Sequence, residues 1–180
     1  MFEEVKKLDS NFNENKFKGY ADNVFIQIHT AITKRNILAI RHFVSDTVYN
    51  QLNEKITYLK NNKLIQFYDE LNVASTNIIK VKIIEDEIFI MVEISFKYID
   101  YTIDENNKIV KGYQEFRPYD KYILTFRRLL NVNEIKYTNC CNGCGNNLDI
   151  NNSGVCEYCG TIYNLNSHNF ILYSMELKSL

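Results

Sequence analysis

Residues 88–98, IFIMVEISFKY, decide the fold, because apolar residues occupy every second position along the whole stretch. Such alternation predicts a long β-strand with one buried face. Shorter alternating runs lie on either side, at Ile79–Ile83 and Tyr122–Phe126, and a last one at Ile171–Leu177. The sequence therefore predicts antiparallel strands over 71–130, with a further strand near the C-terminus.

Residues 1–60 carry a helical period instead. Asn13 has the position of an N-cap, and Phe12 and Phe17 have the spacing of a hydrophobic staple. A short second helix is expected over 37–43, and Ser45 would cap a third. The apolar residues of the first helix recur every three or four positions: Phe17, Ala21, Val24, Phe25, Ile28, Ala31 and Ile32. Helices followed by strands predict an α+β fold, in which the helices pack on one face of a curved antiparallel sheet.

Composition and charge exclude several classes of protein. The formal net charge is −1, which gives no global electrostatic case for binding nucleic acid. No apolar run approaches the roughly 18 residues that span a bilayer, and the N-terminal residues do not resemble a signal peptide. We therefore expect a cytoplasmic protein without a transmembrane segment. Peripheral membrane contact and the oligomeric state stay open.

Four cysteines have the spacing of a metal site. Cys141 and Cys144 form one Cys-x2-Cys pair, and Cys156 and Cys159 form a second pair after eleven residues. Four thiolates close a tetrahedral zinc site with no free position, so the predicted cofactor is zinc in a structural role. Disulfides, free thiols and an iron–sulfur site are the alternatives, and Cys140 is expected to be a bystander. Because 140–163 contains no Lys or Arg, the ribbon is not expected to bind nucleic acid.

Several segments together resemble a known family. The helix after Phe12, the stretch Arg41–Tyr49, the strand Glu85–Phe96 and the strand Tyr122–Arg127 are similar to bacterial proteins that share the C-terminal domain of the mitochondrial import subunit Tim44. Some of those proteins continue into a four-cysteine zinc ribbon. The resemblance implies a cone-shaped, cystatin-like fold of the nuclear-transport-factor-two-like type.

The resemblance also implies an apolar pocket between sheet and helices for a peptide or a lipid tail. Six residues are the candidates for its lining: Phe25, His29, Phe96, Tyr98, Tyr122 and Phe126. We expect the cone-shaped domain over 10–130, the zinc ribbon over 139–163 and a returning C-terminal strand within 164–180.

The expected function is a non-catalytic, zinc-containing binding or scaffold protein that takes a protein or a hydrophobic ligand. A small isomerase or dehydratase on the same cone is the first alternative, since His29, Asp100, Tyr98 and Tyr101 could face its interior. His29 is interpreted as a helix-flank residue, and Asp100 and Tyr101 are placed at a strand end. No acid–base pair is evident in the sequence, so no catalytic residue is predicted. An inhibitor- or immunity-type interaction protein is the second alternative.

Overall fold

The structure is a computed structural model that describes residues 3–8, 10, 12–130 and 170–178. The predicted ribbon over 139–163, with its four cysteines, lies outside the described residues. The helices are α1 (Glu3–Leu8), α2 (Glu14–Thr33), a 3₁₀ helix (Ile37–Phe43) and α3 (Asp46–Asn61). The strands are β1 (Ile65–Ile84), β2 (Glu87–Ile103), β3 (Ile109–Gly112), β4 (Tyr119–Leu129) and β5 (Ile171–Leu177).

The helices begin where their capping residues predict. The Asn13 side chain accepts a hydrogen bond from the Lys16 amide, at 2.9 Å, and the rings of Phe12 and Phe17 lie 5.8 Å apart. Ser45 caps α3 in the same way by accepting from the Val48 amide. These bonds satisfy amides that the first turn of a helix leaves without partners.

The described strands form one antiparallel sheet in the order β1-β2-β4-β5, with β3 paired to the far end of β2. Every second residue from Ile88 to Tyr98 faces the helices, and five of these side chains are fully buried there: Ile88, Ile90, Val92, Ile94 and Phe96. Helix α2 packs on this concave face and contributes Phe25 and Ile28 to the core. The predicted α+β fold, with N-terminal helices on a curved antiparallel sheet, is confirmed.

Strand β1 begins at Ile65, six residues before the predicted start of the strands. Its register against β2 shifts three times, between Asp69 and Asn72, Val73 and Ser75, and Ile78 and Lys80. Each bulge moves the following side chains to the opposite face and bends the strand. The simple alternation that marks a strand in the sequence is therefore lost between Asp69 and Lys80.

The sequence predicts strands over 71–130, but Tyr113 and Phe116 lie in no strand of the described sheet. Strand β3 ends at Gly112, which has a φ of +78°. The chain then leaves the sheet and rejoins it at Tyr119 as β4. Asp100 and Tyr101 lie among the last four residues of β2, which ends at Ile103.

Candidate binding surfaces

Most of the six predicted pocket residues fill the core. Phe25 and Phe96 are fully buried with their ring centroids 4.8 Å apart, and the buried His29 ring lies 4.3 Å from Phe25. Phe126 is also fully buried, and its ring packs against that of Phe17, with the ring centroids 5.4 Å apart. These four side chains pack against protein, so an interior pocket for a peptide or lipid stays a prediction.

The other two predicted residues, Tyr98 and Tyr122, are half-buried and reach the surface. Both rings lie nearly parallel to that of Phe96, with centroid distances of 5.0 and 5.4 Å. Tyr68 of β1 adds a third phenol, 5.8 Å from Tyr98. We call Tyr68, Tyr98 and Tyr122 the tyrosine wall. Sequence reasoning missed Tyr68 because the first bulge of β1 follows it directly and leaves only the short run IQFY at 65–68, although that run consists mainly of good strand formers.

Charged and amide side chains surround the tyrosine wall. The Lys55 ammonium of α3 donates to the Tyr68 hydroxyl, at 2.9 Å, and lies 5.6 Å from the centre of the same ring. The Gln66 amide donates to Asp100, at 2.8 Å, and the Tyr98 hydroxyl lies 3.5 Å from an Asp120 carboxylate oxygen. The strand register brings these side chains together, because Tyr68 pairs with Asp100, and Asp120 pairs with Phe96.

The two carboxylates act on the same phenols. Burial raises the pKa of Tyr98 and of Tyr122, and the charges of Asp100 and Asp120 raise both pKa values further. These tyrosines are therefore neutral at pH 7, and both carboxylates lie close enough to influence each hydroxyl. Burial lowers the pKa of Lys55, and the charge of Asp100 partly opposes this effect.

His29 is a core residue, so its interpretation as a helix-flank side chain is wrong. Its Nδ1 lies 2.8 Å from the Phe25 carbonyl oxygen, which can only accept, so Nδ1 carries the proton. Burial lowers the pKa of His29 to about 4, and the imidazole is neutral at pH 7. His29 donates to a backbone carbonyl, and Asp100 accepts from the Gln66 amide. Each of these two candidates for an acid–base pair therefore has another hydrogen-bond partner.

A small cleft of about 220 Å³ lies beside Tyr68, between α2 and the first bulge of β1. Its lining mixes apolar and polar residues: Ile26, His29, Thr30, Thr33, Lys34, Tyr68, Asp69 and Leu71. Small-molecule pockets commonly measure roughly 300–1,000 Å³, so this cleft fits a side chain better than a larger ligand.

A second surface is built by residues 109–119, which we call the aromatic loop. Five of its large apolar side chains are exposed, and the exposed fraction is largest for Tyr113 and Phe116, at 74% and 64%. The other three are Ile109, Val110 and Tyr119. Arg117 holds the loop against β1, because its guanidinium pairs with the Glu70 carboxylate at 3.0 Å and donates to the Glu70 carbonyl at 3.2 Å. The sequence signal for this surface is a cluster of aromatics where the strand alternation fails.

Two classes of site are absent from the described part of the chain. No described helix is long and apolar enough to cross a bilayer. The residues that the structure covers also include no group of three or more His, Cys, Asp or Glu side chains that could hold a metal ion.

Comparison with solved structures finds the intermembrane-space region of the chloroplast protein ARC6, with a TM-score of 0.48 and 4% sequence identity. That match covers 89% of this chain and 95% of the ARC6 chain. A search of curated proteins gives no match. The family model described as the Tim44-like domain matches residues 1–138, which is more than three quarters of the sequence. This chain therefore belongs to the Tim44-like domain family.

Proposed function

We propose that this protein is a non-catalytic scaffold that binds a protein partner through its aromatic loop. Membership of the Tim44-like domain family supports a protein-interaction role. The packing of Phe25, Phe96 and Phe126 inside the core favours a binding site on the surface over one in the interior.

The exposed aromatic loop is the observation that carries this proposal. Contiguous exposed apolar side chains are uncommon on monomeric proteins and often mark interaction sites. Tyr and Phe are enriched in the cores of protein interfaces. The contact of Arg117 with Glu70 also restrains the loop, so less conformational freedom is lost when a partner binds.

The double variant Tyr113→Ser with Phe116→Ser tests the proposal. Both side chains are exposed, so the variant should fold normally and lose the partner. The matched control is Tyr58→Ser with Leu38→Ser, which removes two apolar side chains exposed elsewhere, at 60% and 46%. Affinity purification with quantitative mass spectrometry should show partners kept by wild type and control and lost by the loop variant. Partners that the loop variant keeps at wild-type levels would contradict the proposal.

We further propose that Cys141, Cys144, Cys156 and Cys159 bind one structural zinc ion that braces the protein. The donor set of four thiolates fits zinc and leaves no position for a substrate. The strands that flank the segment support an insertion held at both ends, since Arg127 of β4 pairs with Ile171 of β5. When bound, the metal would supply folding free energy to a segment with few apolar residues.

Cysteine substitution tests the zinc site. Cys144→Ser removes one of the four thiolates, so we expect native mass spectrometry to show one zinc per chain in the wild type and its loss in the variant. Cys140→Ser is the matched control and should keep the metal. Zinc retained after Cys144→Ser, or lost after Cys140→Ser, would contradict this assignment of ligands.

A further inference from the structure

We propose that the cleft beside Tyr68, between α2 and the first bulge of β1, binds a tyrosine side chain of the protein partner. This inference rests on the proposed scaffold function, because the partner supplies the tyrosine. The cleft measures about 220 Å³. At about 30 Å³ for each water it holds roughly seven waters, which is room for one aromatic side chain.

The buried His29 supplies a hydrogen-bond acceptor to the cleft. Its Nδ1 donates to the Phe25 carbonyl, so Nε2 carries a lone pair and no proton. Among the described residues, the buried side-chain nitrogen and oxygen atoms that lack a partner belong to Arg41 alone. No described residue donates to Nε2 either, so this atom reaches solvent, and His29 lines the cleft. A ligand in the cleft therefore needs a donor for Nε2.

Other polar groups of the cleft can donate to a ligand. The hydroxyls of Thr30 and Thr33 and the ammonium of Lys34 belong to the same lining. A phenol hydroxyl both donates and accepts, so it can pair with His29 and with one of these donors at once. An indole N–H only donates, and a phenylalanine ring does neither. Tyrosine therefore satisfies more of the polar groups in the cleft than the other two aromatic side chains do.

The rest of the lining suits the ring of a tyrosine. Ile26 and Leu71 offer apolar contact from α2 and from β1. The rings of His29 and Tyr68 add aromatic surface and lie 4.6 Å apart in an edge-to-face arrangement. Aromatic rings gain from such contacts beyond the apolar area that they bury. A ring that ends in a hydroxyl thus meets both parts of the cleft.

The charges around the cleft favour a neutral ligand. The lining holds one cation, Lys34, and one carboxylate, Asp69, so neither sign dominates. Burial lowers the pKa of His29, its bond to Phe25 opposes this, and the charge of Lys55 lowers it further. Lys55 therefore also repels a cationic ligand at Nε2, while the lone pair of Nε2 repels an anionic oxygen. A neutral hydroxyl avoids both costs.

The cleft adjoins the aromatic loop. Arg117 of the loop pairs with Glu70, and the two neighbours of Glu70 in the sequence, Asp69 and Leu71, line the cleft. A partner that covers the loop therefore has the cleft within its reach, and one interface can include both.

An NMR titration of the full-length protein with N-acetyl-tyrosinamide tests the inference. Isotope-labelled histidine makes the Nε2 resonance of His29 visible, and accepting a hydrogen bond shifts it. We expect this shift with a Kd on the order of 1 mM, which is typical of so small a ligand. N-acetyl-phenylalaninamide lacks only the hydroxyl and should bind about tenfold more weakly, because it leaves Nε2 without a donor.

Three results of this titration would overturn the proposal. One is equal affinity for the tyrosine and phenylalanine amides. Another is an unshifted Nε2 resonance at about 20 mM tyrosine amide, well above the expected Kd. The third is tighter binding of N-acetyl-tryptophanamide, which would reject tyrosine as the occupant.

Two substitutions locate the binding site. Thr30→Phe places a ring in the cleft and should weaken binding of the tyrosine amide at least about tenfold. Thr47→Phe is the matched control, because it adds the same ring at an exposed position of α3 and should leave the affinity unchanged. Unaltered affinity in a folded Thr30→Phe protein would contradict the assignment to this cleft. If that variant does not fold, the comparison of tyrosine and phenylalanine amides still decides, since it uses the wild-type protein.

The two proposals fail separately. If the tyrosine amide does not bind while the aromatic-loop variant loses its partners, the cleft has no role in recognition and the scaffold function stands. If the amide binds but the loop variant keeps its partners, the contact surface of the scaffold proposal is wrong.

Discussion

Replacing Gly112 with alanine is expected to destabilise the protein by about 3 kcal/mol, the combined cost of a strained backbone and a steric clash. Gly112 has a φ of +78°, a conformation that residues with a Cβ rarely adopt. A Cβ at this position would lie 2.1 Å from the Asp100 carbonyl oxygen and 2.8 Å from the Tyr101 Cα. Both neighbours are backbone atoms of β2 and have little freedom to move.

Gly19→Ala is the matched control for this prediction. Gly19 lies within α2, and a Cβ there would meet no atom within 4 Å. Alanine should therefore stabilise the helix by up to about 1 kcal/mol. Urea unfolding of the two variants measures both effects, and a Gly112→Ala protein as stable as wild type would contradict the close approach of Gly112 to the backbone of β2.

Lowering the pH from 7.5 to 5 is expected to remove about 2 kcal/mol of stability through His29 alone. Burial holds the pKa of His29 at about 4 in the folded protein, against an ordinary value of 6.5. Between pH 4 and pH 6.5, His29 binds a proton in the unfolded chain but not in the folded protein. The free energy of unfolding therefore falls as the pH drops through this window. The contribution of neutral His29 to stability is fully present above pH 6.5.

His29→Asn isolates this effect. The asparagine amide can still donate to the Phe25 carbonyl, but it does not titrate. Urea unfolding at pH 7.5 and pH 5 should give a smaller pH-dependent loss for the variant than for wild type, by about 2 kcal/mol. The comparison also cancels the contribution of His42, whose pKa burial lowers as well. Equal losses in the two proteins would show that His29 is accessible to protons in the folded state.

Features that depend on neighbours in the sequence were predictable. The caps at Asn13 and Ser45 act within one helical turn, so their residue types identify the starts of α2 and α3. The alternation over 88–98 identifies β2 because every second residue from Ile88 to Phe96 is buried.

Features that depend on distant parts of the chain were not predictable. The burial of His29 is set by Tyr68 across the fold, with the two rings 4.6 Å apart. The exposure of Phe116 follows from the kink at Gly112, which depends on the close approach of β3 to Asp100. Tyr98 and Tyr122 were selected as pocket residues, but their partners Tyr68 and Asp120 come into range only through strand register.

Site-specific photo-crosslinking in cells tests the central claim most directly, that a protein partner binds the aromatic loop. Benzoylphenylalanine replaces Phe116 in one protein and Tyr58, an equally exposed aromatic on α3, in another. We predict a discrete crosslinked protein from position 116 and none from position 58. Crosslinks of equal yield from both positions, or from position 58 alone, would contradict the account.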